Sequence, residues 1–135
     1  MTYLVDANVI SEPTKPVPNS KVVGWLSANE RNLVVDSIIL GELCIGIFAL
    51  PRGRKRAQLE QWFSDVVQTI DCLPWDATIS RRWAGLVVDL KRTGDTMPLL
   101  DSMIAATALQ LDLTVATRNT RDFKKASVKV LNPFA

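Results

Sequence analysis

Residues 3–9 read Tyr3-Leu4-Val5-Asp6-Ala7-Asn8-Val9, and the first three decide the fold. Tyr3-Leu4-Val5 is apolar at every position rather than at alternate ones, which marks a strand buried on both faces. A sheet covered on both sides is built from parallel strands joined by helical crossovers, so short strands alternating with helices are expected. The rest of the chain has that alternation. Asn19 or Ser20 can cap a helix carrying Val22, Val23, Trp25 and Leu26. Leu33-Val34-Val35 reads as a second strand, after which Asp36 or Ser37 opens an apolar helix through Leu50. Leu59, Trp62, Phe63, Val66, Val67 and Ile70 recur at helical spacing, and a short strand around Cys72-Leu73 ends at Pro74. Asp76 caps a helix with the stripe Ile79, Trp83, Leu86, Val87 and Leu90, stopped by Gly94. Leu99 to Leu111 forms another helix, and Leu113 to Thr117 and Val128 to Leu131 supply two more strands. The expected fold is α/β, a three-layer sandwich with a roughly five-stranded parallel sheet, in one domain over residues 1–135.

The 135 residues, 47% hydrophobic and 22% charged, suit one packed core rather than a disordered segment. No apolar run approaches the ~18–20 residues of a membrane span, and MTYLVDAN carries no basic stretch before its apolar residues. A cytoplasmic protein with no membrane contact is expected. Cys44 and Cys72 then read as free thiols, Cys44 packed in the core. Histidine is absent, which removes Ser-His-Asp hydrolases, Cys-His proteases and the usual zinc enzymes. Any catalysis must run on carboxylates, lysines, hydroxyls or a metal held by oxygen. The net charge of +2 permits a polyanionic partner without requiring one. Its cations are grouped, with Arg52, Arg54, Lys55 and Arg56 after Pro51 and Arg118, Arg121, Lys124 and Lys125 near the C-terminus.

Four acids occupy telling positions. Asp6 directly follows the first strand, and ligands of open α/β sheets bind at the carboxyl ends of strands. Glu42 is the only acid between Ile38 and Leu50, on a helix otherwise apolar, where burial without a cation would cost several kcal/mol. Gly41 and Gly46 flank it, each costing a helix roughly 1 kcal/mol relative to Ala, which points to close packing or close ligand approach. Asp101 opens a helix with Ala105 and Ala108 on its face, small enough to let that helix lie close to the sheet. Asn119 and Asp122 follow the strand Leu113 to Thr117, where an Asx-rich turn is expected. Together the acids would converge on one sheet edge, and like charges so placed require a divalent cation. All-oxygen ligation suits Mg²⁺ or Mn²⁺, which points to phosphoryl chemistry on a polyanion.

The pieces Val5-Asp6-Ala7-Asn8-Val9-Ile10-Ser11-Glu12, Gly41-Glu42-Leu43, Asp101-Ser102-Met103-Ile104-Ala105-Ala106-Thr107-Ala108 and Thr117-Arg118-Asn119-Thr120-Arg121-Asp122-Phe123 carry a resemblance. Over essentially its whole length the chain resembles a PIN domain of the VapC type, including the FitB-like branch, the toxin nucleases of bacterial toxin–antitoxin modules. The resemblance implies a metal-dependent endoribonuclease toxin. It carries the acidic quartet onto Asp6, Glu42, Asp101 and Asp122 as catalytic and metal-binding residues, with Asn8 and Asn119 as polar supports. Two positions depart from the pattern: Ala7, where many relatives have Thr, and Ile39, where many have Ser or Thr, so that capping passes to Asp36 or Ser37. Arg52, Arg54, Lys55, Arg118, Arg121 and Lys125 are the candidates for RNA phosphate contacts, which would make binding strongly salt-dependent. The resemblance further implies a structured RNA substrate such as tRNA. It also implies a homodimer, formed through apolar parts of the helices between Ile38 and Val67, within a larger complex. A cognate antitoxin would inhibit the toxin and contact operator DNA on its behalf. The alternative is a PIN-like RNA-binding or DNA-complex subunit whose acidic cleft mainly binds a partner's basic residue.

Overall fold

The computed structural model describes residues 1–135. Five parallel strands, β1 (Tyr3–Val5), β2 (Leu33–Asp36), β3 (Asp71–Leu73), β4 (Thr114–Ala116) and β5 (Val130–Leu131), form one sheet in the order β3-β2-β1-β4-β5. Leu4 pairs with Val34 on one side and Val115 on the other, so β1 is central, and Leu4 and Val5 are wholly buried as their unbroken apolarity requires. Chain order runs outward from β1 to β3 and then returns to its other side. The β1–β4 boundary is therefore the switch point where crossovers diverge, leaving a crevice at the carboxyl ends of those two strands.

Seven helices flank the sheet: α1 (Ala7–Ile10), α2 (Ser20–Ala28), α3 (Ser37–Phe48), α4 (Arg54–Asp65), α5 (Ala77–Arg92), α6 (Leu99–Leu111) and α7 (Thr120–Lys125). Their starts are chemically explicit. Asn19, Asp36 and Asp76 cap α2, α3 and α5 with side-chain oxygens that accept backbone N–H groups, and Asp36 takes the Ile39 N–H at 2.8 Å. Gly94, at φ +77°, ends α5 in the left-handed conformation that glycine tolerates best. On α6, Ser102 and the run Ile104–Ala108 are buried, and the small side chains seat that helix against its neighbours.

Several elements differ from the sequence expectation. The fourth helix starts at Arg54, taking half of the basic turn into its first turn, and regular α-structure ends at Asp65, with Val67–Thr69 a 3-10 turn. The Asx-rich segment after β4 is α7, anchored by the fully buried Phe123. Cys44 is only half-buried, because α3 is apolar on every face and only Ile39, Leu43 and Ile47 of it reach the interior. Trp62 and Trp83 are half-buried as well; Trp62 packs against the core, while Trp83 donates its Nε1–H to Ser102 Oγ at 3.0 Å. No helix is long and apolar enough to cross a membrane.

Candidate active site

Asp6 stands where β1 ends and α1 begins, and its own backbone N–H still donates to the Ala116 carbonyl of β4 at 2.9 Å. Its carboxylate is buried and fixed from three directions. Oδ1 accepts the Ala7 N–H at 2.8 Å; Oδ2 accepts the Thr117 hydroxyl at 2.8 Å and Asn8 Nδ2 at 3.2 Å. Asn8 in turn accepts the Arg118 backbone N–H at 3.1 Å, joining α1 to the end of β4. The chain of contacts continues through Asn119. Its backbone N–H donates to Thr117 Oγ1 at 2.9 Å, and its side-chain amide donates to Asp101 Oδ2 at 2.8 Å and Asp122 Oδ2 at 2.9 Å.

Ligand oxygens of Asp6, Glu42 and Asp101 all lie within 4.8 Å of one another, though they come from three separate βα units. No Lys or Arg forms an ion pair with any of the three. Glu42 Oε1 is buried without a hydrogen-bond partner, an arrangement that costs free energy unless an absent group compensates it. Burial, followed by the charges of Asp6, Asp101 and Asp36, pushes Glu42 up to about 7. Burial and the Asp6 charge push Asp101 to about 6 against the opposing Asn119 hydrogen bond, and burial also raises Asp6. All three converging groups are carboxylates, a donor set that fits a hard divalent cation.

Asp122 stands apart from this group. Asn119 bridges it to Asp101, and Lys125, one turn on, holds it in an ion pair at 3.0 Å, so that its carboxyl lies below the usual range. The expected quartet is therefore three clustered acids and a fourth displaced by one amide. Lys125 is correspondingly not a free cation, since its ammonium also donates to the Thr96 carbonyl at 3.1 Å. Arg118 is exposed and stacks its guanidinium 3.8 Å from the Phe134 ring centroid. Arg52, Arg54, Lys55 and Arg121 are exposed and form no ion pair. Gly41 and Gly46 have no packing role within the chain, because a Cβ at either would meet nothing within 4 Å. Two residues escaped the sequence reading. Thr117 was identifiable only as the last residue of a strand, and Asp36, read as a helix cap, also adds a buried negative charge behind Asp6.

The raised carboxyls set a pH dependence for the metal-free chain. A group whose pKa is higher in the folded state stabilises the fold below its unfolded pKa and loses that contribution as pH rises through the folded value. For Glu42 and Asp101 the loss falls between about pH 4 and 7. Asp122 and Glu12 shift downward, so their contributions change only in more acidic solution. After solvent screening the expected cost is about 1–2 kcal/mol, or roughly 3–8 °C in Tm. Calorimetry in EDTA should show Tm falling from pH 4.5 to 7.5, with Mg²⁺ or Mn²⁺ reversing the fall at pH 7.5. A Tm that is flat or rises over that range would contradict the cluster.

A model of the PIN domain family matches residues 3–129. The chain is 37% identical over 135 residues to Toxin FitB of Neisseria gonorrhoeae, covering 97% of both, and 33% identical over 135 residues to a VapC ribonuclease of Sinorhizobium fredii, covering 97% of this chain and 96% of that one. Among solved structures, a chain of FitAB bound to a DNA fragment superposes with a TM-score of 0.92 at 34% identity, covering 99% of this chain and 96% of that one.

Proposed function

The chain belongs to the PIN-domain family, and from that premise we propose that it is the toxin of a toxin–antitoxin module, a divalent-metal-dependent endoribonuclease that hydrolyses RNA phosphodiester bonds. One observation carries the reading: three carboxylates from separate βα units converge at the switch point with no cation of the chain to balance them. Asp6, Glu42 and Asp101 would hold Mg²⁺ or Mn²⁺. A divalent ion bound there lowers the pKa of water and neutralises charge developing on the phosphate. The hydrogen bonds from Thr117 and Asn8 fix the direction of Asp6, and Asn119 does the same for Asp101, so these two acids are oriented before any ligand arrives. In the absence of histidine, the proton of the attacking water passes to a carboxylate of this cluster or to solvent. Asp122, held back by Lys125, tunes the position of Asn119 and is not a direct ligand.

The test is cleavage of a panel of RNAs, tRNA included, by the purified chain. Mg²⁺ or Mn²⁺ should support cleavage, and EDTA should lower it by at least about 10²-fold. Cleavage indifferent to EDTA would remove the metal from the mechanism. Absence of cleavage with every ion and RNA would favour the alternative of an acidic cleft that serves only to bind a partner.

The same cluster accounts for inhibition. A guanidinium entering it would satisfy two carboxylates bidentately and take the place of the cation, so a cognate antitoxin is read here as presenting an Arg or Lys to Asp6, Glu42 or Asp101. This cytoplasmic complex would contain a homodimer of the chain, for which the exposed Ile45 and Phe48 on α3 offer an apolar face, and would reach operator DNA only through the antitoxin. A structure and a sedimentation mass of the complex test both points. An antitoxin bound far from the acids would exclude occlusion, and one toxin copy per complex would exclude the dimer.

A further inference from the structure

Past the carboxyl ends of β4 and β5, Arg118 and Phe134 form an arrangement that the acidic cluster does not use. Arg118 immediately follows Thr117, and its backbone N–H donates to Asn8 Oδ1. Asn8 Nδ2 donates in turn to Asp6 Oδ2, so Arg118 stands two hydrogen bonds from the buried acid. Phe134 follows β5 after a turn in which its N–H donates to Asn132 Oδ1 at 2.9 Å, and its ring packs against the core. That ring holds the Arg118 guanidinium, whose carbon lies 3.8 Å from the ring centroid. Both residues line a depression of about 580 Å³, bordered on its far side by Val17, Pro18 and Lys21 at the start of α2. Arg118 and Lys21 are exposed and form no ion pair, so one face of the guanidinium plane rests on Phe134 and the other is left to the depression. Glu12 also lines it, but that carboxylate is buried, ion-paired to Lys15 at 3.0 Å and accepting the Asn19 N–H at 2.9 Å. The charge shown to solvent is positive.

We infer that the Arg118–Phe134 pair is a stacking platform for an RNA base next to the scissile phosphodiester, with Lys21 holding a phosphate further along the strand. The inference rests on the nuclease reading and adds the path by which the strand leaves the acids, toward α2. Plane and charge select the occupant together. A guanidinium is flat, always charged and weakly hydrated, and it stacks on a nucleobase as it does on a phenyl ring. Phe134 already restrains the side chain, so little freedom is lost when a base arrives on the open face. The two unpaired cations favour a polyanion, and Val17, 88% exposed, gives an apolar border for a sugar or base edge. Stacking reads a π-face rather than the identity of the base, so the platform tolerates many sequences. Arg118 thus acts on a base and not as one more phosphate contact.

Substitutions in the full chain separate the plane from the charge. Arg118→Lys keeps the charge and loses the plane; it should raise KM for a single-stranded RNA oligonucleotide about tenfold with little change in kcat. Ca²⁺-supported binding of the same oligonucleotide, followed by anisotropy, should weaken to a similar degree with an unchanged salt slope. Phe134→Leu keeps the apolar packing and should weaken binding about threefold by freeing the guanidinium. Lys21→Gln should instead lower the slope of log affinity against log salt by roughly 0.7, the loss of one phosphate contact on a single strand. An oligonucleotide made abasic beside the cleavage position completes the cycle. Wild type and Arg118→Lys should bind it equally, because the stacked base is missing. Mn²⁺ affinity and Tm of Arg118→Lys should stay at wild-type values, separating the platform from the metal cluster. Wild-type RNA affinity in Arg118→Lys, or a loss that persists on the abasic strand, would overturn the platform while leaving the nuclease reading intact. If instead Arg118→Lys and Phe134→Leu weaken antitoxin binding and leave RNA untouched, the depression is a protein surface and the proposal falls. Failure of the wild-type chain to cleave any RNA strikes the nuclease reading itself, and the binding cycle, run with strands abasic at each position in turn, then still decides the platform.

Discussion

Asp6→Asn or Asp101→Asn should lower metal-dependent RNA cleavage by at least about 10²-fold, while Asp122→Asn should lower it by only about tenfold. The grading follows from position. Asp6 and Asp101 place their oxygens in the group confined within 4.8 Å, whereas Asp122 reaches it only through the Asn119 amide and is already neutralised by Lys125. Each substitution preserves shape, and far-ultraviolet circular dichroism should show all three variants folded. The decisive comparison is single-turnover cleavage at saturating Mn²⁺. An Asp122→Asn variant as impaired as Asp6→Asn would mean that Asp122 swings into the cluster in the active state, and the three-acid site would be wrong.

The largest stability effect is expected away from the acids, at Phe123→Ala. Phe123 is fully exposed to the core and not at all to solvent, and it is the one buried side chain of the six-residue α7. Removing it should cost about 3–5 kcal/mol, the usual loss for a buried aromatic, and lower Tm by roughly 10–15 °C. The helix it secures also carries Asp122 and Lys125 and follows directly on Asn119, so cleavage by the remaining folded protein should fall as well. Urea unfolding read by fluorescence checks the first point. A loss below about 1.5 kcal/mol would show that α7 is held by its polar contacts instead.

The inner strands are legible because burial on both faces leaves an unbroken apolar run, as at Leu4-Val5 and Val115-Ala116, whereas the edge strand Asp71–Leu73 is largely exposed. Glu42 was legible for a related reason, as a lone acid on a helix with no other charge. Helix α3 shows the limit. With apolar residues on every face its sequence has no periodicity to name the inner side, so the expected core position of Cys44 is only half-buried while Ile45 and Phe48 face solvent. Helix α7 was hidden by its shortness and by Asn119 and Asp122, which favour turns locally; the burial of Phe123 overrides that preference. The separation of Asp122 from the other acids depends on Lys125, one turn away, and on both hydrogens of a single amide being committed, contacts that no local pattern specifies.

The central place of β1 between β2 and β4 has a consequence for the chain during its synthesis. The amino-terminal residues emerge from the ribosome first, yet two of the hydrogen bonds that orient Asp6, the one from the Thr117 hydroxyl and the one its own N–H makes to the Ala116 carbonyl, need residues made much later. Until those residues are made, Asp101 also lacks the amide of Asn119 that directs it. A nascent chain, or one terminated before β4, therefore carries the acids Asp6 and Glu42 with no sheet edge to gather Asp101 beside them. On the proposed function, RNA cleavage is therefore expected only of chains that include β4 and α7, and a chain truncated before them should lack it.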